Sequence, residues 1–80
     1  MKTEMAMKLH DKIEEMTTDD HSISVALRPQ GGATSSLIIF PTDQGEKSLH
    51  GRLDILAMAR AYGAEFYISV MGDMPVIIID

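Results

Sequence analysis

Eighty residues, with seven Lys and Arg against twelve Asp and Glu and a net charge of −5, make a chain of one domain. No cysteine is present, which excludes disulfide scaffolds, thiolate zinc clusters and cysteine nucleophiles, while the few scattered basic residues argue against nucleic acid as a partner. A hydrophobic share of 45% without low-complexity tracts is the composition of a folded chain, but one this short buries only about three-fifths of its unfolded surface, so its stability margin is thin.

Met5, Leu9, Ile13 and Met16 recur at spacings of four, four and three, which predicts a helix over 3–16 with a charged opposite face. The same stretch, MKTEMAMKLHDKIEEM, is broken by charges and lacks the continuous apolar core of a signal peptide. No apolar run approaches the ~18 residues of a membrane span. The expectation is a cytoplasmic, soluble protein that makes no membrane contact. Thr17, Thr18, Asp19 and Asp20 close the helix with side chains that compete for backbone hydrogen bonds, and Asp19, Asp20 and His21 read as a turn rather than a metal site.

Ile23, Val25 and Leu27 alternate with Ser22, Ser24 and Ala26, the period of a strand with one buried face. Pro29, Gly31 and Gly32 end it, and SSLIIF comes next as a second strand, so the two are expected to form a hairpin. Ser48 is placed to cap a second helix with Leu49, Leu53 and Leu56 on one face and Gly63 as its stop. In AEFYISVMG, Phe66, Ile68 and Val70 alternate with Glu65, Tyr67 and Ser69, and GDMP turns the chain into a last strand, VIIID.

Helix, strand, strand thus occurs twice, and KLHDKI at 8–13 returns as SLHGRL at 48–53, suggesting a pseudo-repeat of 1–40 and 41–80. The expected fold class is α+β: an open-faced sandwich of two αββ units, with a four-stranded, mainly antiparallel sheet and two helices on one face. LIIF at 37–40 and VIII at 76–79 are unbroken apolar runs, so both faces of these strands avoid water, yet two helices cover only one. Each such side chain is worth ~1.5–3 kcal/mol when buried. A second copy is therefore expected against the other face, with Ile38, Phe40, Ile77 and Ile79 as interface residues. The alternative is that these strands sit centrally, their outer face shielded by Tyr67, Met71 and the loop at 28–35.

His50 and Arg52 fall where the second helix is expected to begin, and free N–H groups and the helix dipole favour an anion there. An imidazole nitrogen at such a place is able to accept a phosphoryl group whose oxygens the guanidinium would hold. In SLHGRL the chain resembles the histidine phosphocarrier protein family (HPr), whose phosphorylated histidine lies in a motif of the form LHARP: Leu49, His50 and Arg52 match, while Leu53 stands where the motif has proline. A second alignment sets KSLHG and the subsequent GAEFYISVMGD on the later half of that family. Ser48 then matches its regulatory serine and His50 matches nothing. The resemblance implies an HPr-like sandwich and, as an alternative function, a phosphocarrier accepting phosphate on His50, with Arg52 and Ser48 in support. The family's N-terminal strand is missing here, with VIIID available to take its place. The structural alternative for His50 is a solvated residue near a helix end, and His10, expected at mid-helix, suggests that the LH pair recurs for packing.

RPQGGATSS has the glycines and hydroxyls of a phosphate loop but not the lysine or spacing, and the seven methionines read as core filling. No Ser–His–acid arrangement or carboxylate pair emerges from spacing. The favoured expectation is a small non-enzymatic adaptor or regulatory protein without cofactor or metal, acting by protein–protein contact and forming a homodimer through its sheet.

Overall fold

The computed structural model describes residues 1–18, 23–42, 49 and 52–80. Among them the elements run α1 (Thr3–Met16), β1 (Ile23–Gly31), β2 (Thr34–Pro41), α2 (Leu53–Ala61), β3 (Phe66–Met71) and β4 (Met74–Ile79). The four strands form one antiparallel sheet in the order β1-β2-β4-β3, an α+β fold.

The helix α1 has the predicted bounds because its apolar period is unambiguous. Of the predicted stripe Leu9 and Ile13 are buried, joined by Ala6, while Met5 stays exposed. The C-terminal carbonyls of the helix are satisfied by hydroxyls: Thr17 Oγ1 donates to the Ile13 carbonyl at 2.8 Å and Thr18 Oγ1 to that of Glu14 at 3.0 Å. At the other end the Thr3 N–H donates to the Ala33 carbonyl at 2.7 Å and the Ser35 N–H to that of Met1 at 2.8 Å. The Thr3 and Ser35 hydroxyls lie 2.8 Å apart, which satisfies the buried Ser35 side chain and ties the start of α1 to the start of β2.

The hairpin β1–β2 turns at Gly32 and Ala33, and its register shifts between Pro29 and Gly31, where Gly31 takes φ +97°. Across the whole sheet the pairing lines residues into transverse rows. Val25, Ile39, Ile77 and Ile68 form one row, and Leu27, Leu37, Ile79 and Phe66 another, on the side that carries the core. Leu37, Ile39, Ile77 and Ile79 are fully buried there with Leu9 and Ile13 of α1, Ile55 and Ala59 of α2, and Leu49. The opposite side carries the row Ala26, Ile38, Ile78 and Tyr67.

Two expectations change at α2. The helix starts at Leu53 rather than near Ser48, so its phase differs: Ile55 and Ala59 face the core, and Leu53 is 74% exposed. Leu49 nevertheless reaches the core from the segment before the helix. Gly63, with φ +72°, ends α2 as predicted: the Ala64 N–H donates to the Ala59 carbonyl and the Gly63 N–H to that of Arg60, both at 3.0 Å. This crossed pair of bonds needs a left-handed residue, which glycine adopts without a side-chain clash.

For the apolar runs, the central placement weighed as the alternative is the one observed. Both lie in the central strands, β2 and β4, each with a strand on either side. Ile38, Phe40 and Ile78 are half-buried, and Val76 is fully buried outside the main core cluster. Four of the exposed large apolar residues share the edge strand β3, and the others among the described residues, Met5, Met7, Leu27 and Leu53, are spread over α1, β1 and α2.

Candidate interaction surface

Of the residues expected to form an interface, Ile77 and Ile79 belong to the core. They point toward the helices, and the outward residues of β4 are Val76 and Ile78. Ile38 and Phe40 do lie on the outer side, half-buried. The alternation of side chains decides this: within a run of four apolar residues the letters alone do not say which two face in.

Exposed apolar residues are concentrated on β3. Tyr67 is 49%, Ile68 51%, Val70 60% and Met71 42% exposed, on both sides of the sheet. Alternation in AEFYISVMG predicts Phe66, Ile68 and Val70 on the buried face, and the pairing does place them on the core side. Only Phe66 is partly buried, packed against the core cluster. Between α2 and β3 an apolar depression of about 320 Å³ is lined by Leu53, Leu56, Ala57, Arg60 and Phe66, with the Arg60 guanidinium 5.9 Å from the Phe66 ring centre.

The two sheet edges differ. β1 carries Arg28, Pro29 and a register shift, three devices that discourage another strand from adding to an edge. β3 has neither charge nor proline and pairs with β4 in unbroken register. Glu65 and Asp80 exchange both backbone bonds, at 3.1 and 2.8 Å, and so form a hydrogen-bonded pair. By the alternation of an antiparallel ladder, Tyr67, Ser69 and Met71 direct their N–H and C=O groups to β4, while Phe66, Ile68 and Val70 turn theirs to the open edge.

His50 and Ser48 lie outside the described residues. Arg52 stands immediately before α2, and its guanidinium is engaged: Nε donates to Asp54 Oδ1 at 3.1 Å and Nη2 to Oδ2 at 2.9 Å. Asp54 Oδ1 also accepts the Ile55 N–H at 2.9 Å. The chain's own carboxylate thus takes both the guanidinium and a free N–H of the first turn, the partners a bound phosphoryl group would need. The Arg52 hydrogen bonds hold the Asp54 carboxyl below its usual range, against a smaller opposing effect of burial.

One cluster escapes sequence reasoning. On α1, His10 Nδ1 lies 3.0 Å from Glu14 Oε1 and 3.3 Å from Asp11 Oδ1, and the three side chains bring potential ligand atoms within 4.8 Å of one another. Its signal in the sequence is a histidine with an acid four residues on. All three residues come from one helix face, Asp11 and Glu14 are exposed, and among the described residues no other element adds a ligand. An open depression of about 460 Å³ between the end of α1 and the start of β1 is lined by Glu14, Glu15, Thr17, Thr18 and neighbours, without converging catalytic groups.

Among the described residues no helix is long and apolar enough to cross a membrane. Comparison with protein-family models, with curated proteins and with solved structures found no match to this chain, and so adds nothing to the phosphocarrier resemblance.

Proposed function

We propose that this chain is a small non-enzymatic adaptor or regulatory protein that works by protein–protein contact and forms a homodimer through its sheet. One observation carries the reading: four of the six residues of β3 are large, apolar and exposed, in a strand that ends the sheet without any protecting feature. Isolated exposed apolar residues need no explanation, but a contiguous group on one edge does. A chain of this size, with a thin stability margin, gains from covering them, and symmetric pairing with a second copy is the commonest way soluble proteins do so. The absence of cysteine fits a cytoplasmic setting.

Sedimentation velocity over a hundredfold range of concentration tests the proposal. A monomer that gives way to a dimer as concentration rises is the expected result. A monomer throughout the range removes it.

A further inference from the structure

We infer that the second copy adds edge to edge at β3, in antiparallel register centred on Ile68, so that the two four-stranded sheets become one sheet of eight. The inference rests on the self-association proposed above and specifies its geometry.

A two-fold axis normal to the sheet sets residues of the same face against each other. Centred on Ile68, it places Ile68 opposite Ile68 of the second copy, Phe66 opposite Val70, and Tyr67 opposite Ser69. The residues whose backbone groups turn to the open edge, Phe66, Ile68 and Val70, then form the hydrogen-bonded pairs, and every outward N–H and C=O of the strand finds a partner. Centred one residue further on, at Ser69, the axis would bring Glu65 against Asp73 of the second copy at both ends, acid against acid. Centred one residue earlier, it would shorten the pairing.

The same register makes the surface complementary to itself. Val70, the most exposed residue of β3, comes beside Phe66 of the second copy, which lines the depression formed with Leu53, Leu56, Ala57 and Arg60. Each copy supplies the projecting side chain and the hollow that receives it. With about 200 Å² for each large side chain, the exposed parts of Leu53, Tyr67, Ile68, Val70 and Met71 set a ceiling of ~500 Å² per copy and ~1,000 Å² per pair, within the range of weak, reversible interfaces. β1 is the less suitable edge, since Pro29 lacks an N–H and the register shift displaces the residues beyond it.

Because the chain has no cysteine, a single introduced thiol reports its own neighbours. In this register the two Ile68 Cα atoms lie ~5.5 Å apart, within disulfide reach. Ile68→Cys is therefore expected to give a covalent dimer on mild oxidation, whereas Ser69→Cys, more than ~7 Å from its counterpart, and Ile38→Cys, on the outer side of β2, are not. In the unmodified protein, amide exchange at Phe66, Ile68 and Val70 is expected to slow at least tenfold from the monomeric to the dimeric concentration range. Val70→Lys is expected to weaken association at least tenfold with the fold intact. If sedimentation shows a dimer while those three amides exchange equally fast at both concentrations and Ile68→Cys stays reduced, edge pairing is refuted and self-association stands. Cross-linking through Ile38→Cys would then identify the sheet face as the contact. A chain that never dimerises removes both.

Discussion

Ile77 and Ile78 are adjacent residues of one type on β4, and the sheet sends them to opposite sides: Ile77 is fully buried against the helices, and Ile78 is half-buried in the outer row with Ile38 and Tyr67. Replacing each by alanine measures that difference. Ile77→Ala removes apolar contact with the core and leaves a cavity, at a cost of ~2–5 kcal/mol. Ile78→Ala removes the same atoms from a half-covered position where no closed cavity forms. At ~0.8 kcal/mol per buried CH₂ and about half burial, it costs ~1 kcal/mol. A domain of 80 residues has a total stability of ~4–12 kcal/mol, so the first substitution consumes a large part of it. Urea unfolding at a concentration where the chain is monomeric provides the assay; with a slope of ~1 kcal/mol per molar, the midpoint falls by ~2–5 M in the first case and ~1 M in the second. Should Ile77→Ala fail to fold, Ile77→Val, expected to cost ~0.5–1.5 kcal/mol, is compared with Ile78→Val, expected to be nearly silent. Equal costs, or a larger cost at Ile78, would mean that β4 is out of register by one residue and would refute the assignment of its two faces.

Gly63→Ala forces a side chain into the left-handed conformation that ends α2 and is expected to destabilise by ~1–2 kcal/mol; a neutral or stabilising result would contradict the φ of +72°. The Asp54 carboxyl is held below its ordinary 3.8 by Arg52, so the folded state prefers it ionised. Its contribution is present above the unfolded value of ~3.9 and is lost as the pH falls through the lower folded value. Urea midpoints measured below about pH 4 should consequently fall less steeply in Asp54→Asn than in the parent, and an unchanged slope would show that the Arg52 pairing does not persist in solution. The Tyr67 phenol, raised above its usual 10.0 chiefly by the nearby Glu65 carboxylate and by its hydrogen bond to it, should titrate lower in Glu65→Gln. Tyrosinate absorbance in a Tyr62→Phe background checks this, and no change between the two variants would exclude the contact.

The parts of the fold legible in the sequence are those with a strong local period. The Met5, Leu9, Ile13 stripe marks the bounds of α1, and the turn glycines place both hairpins. The start of α2 is not legible, because Leu49, Leu53 and Leu56 suggest a helical face that crosses the true start of the helix. Leu49 belongs to the segment before it, and Leu53 falls in the first turn, facing solvent. The four residues expected at an interface divide between the two sheet faces for a related reason. The runs LIIF and VIII show that two strands avoid water on both faces, but they do not choose between a covering second copy and a central place side by side in the sheet, which β2 and β4 take.

The residues alone determined the identity of the elements and their order, because helix and strand periods are written in the spacing of neighbouring side chains. They did not decide which strands lie at the edge, which of two adjacent isoleucines meets the core, or that Asp54 takes up Arg52. Burial and electrostatic pairing depend on what stands beside a residue in space. Strand order β1-β2-β4-β3 brings together segments far apart in the chain, and it leaves β3, rather than the more hydrophobic β4, with an open side.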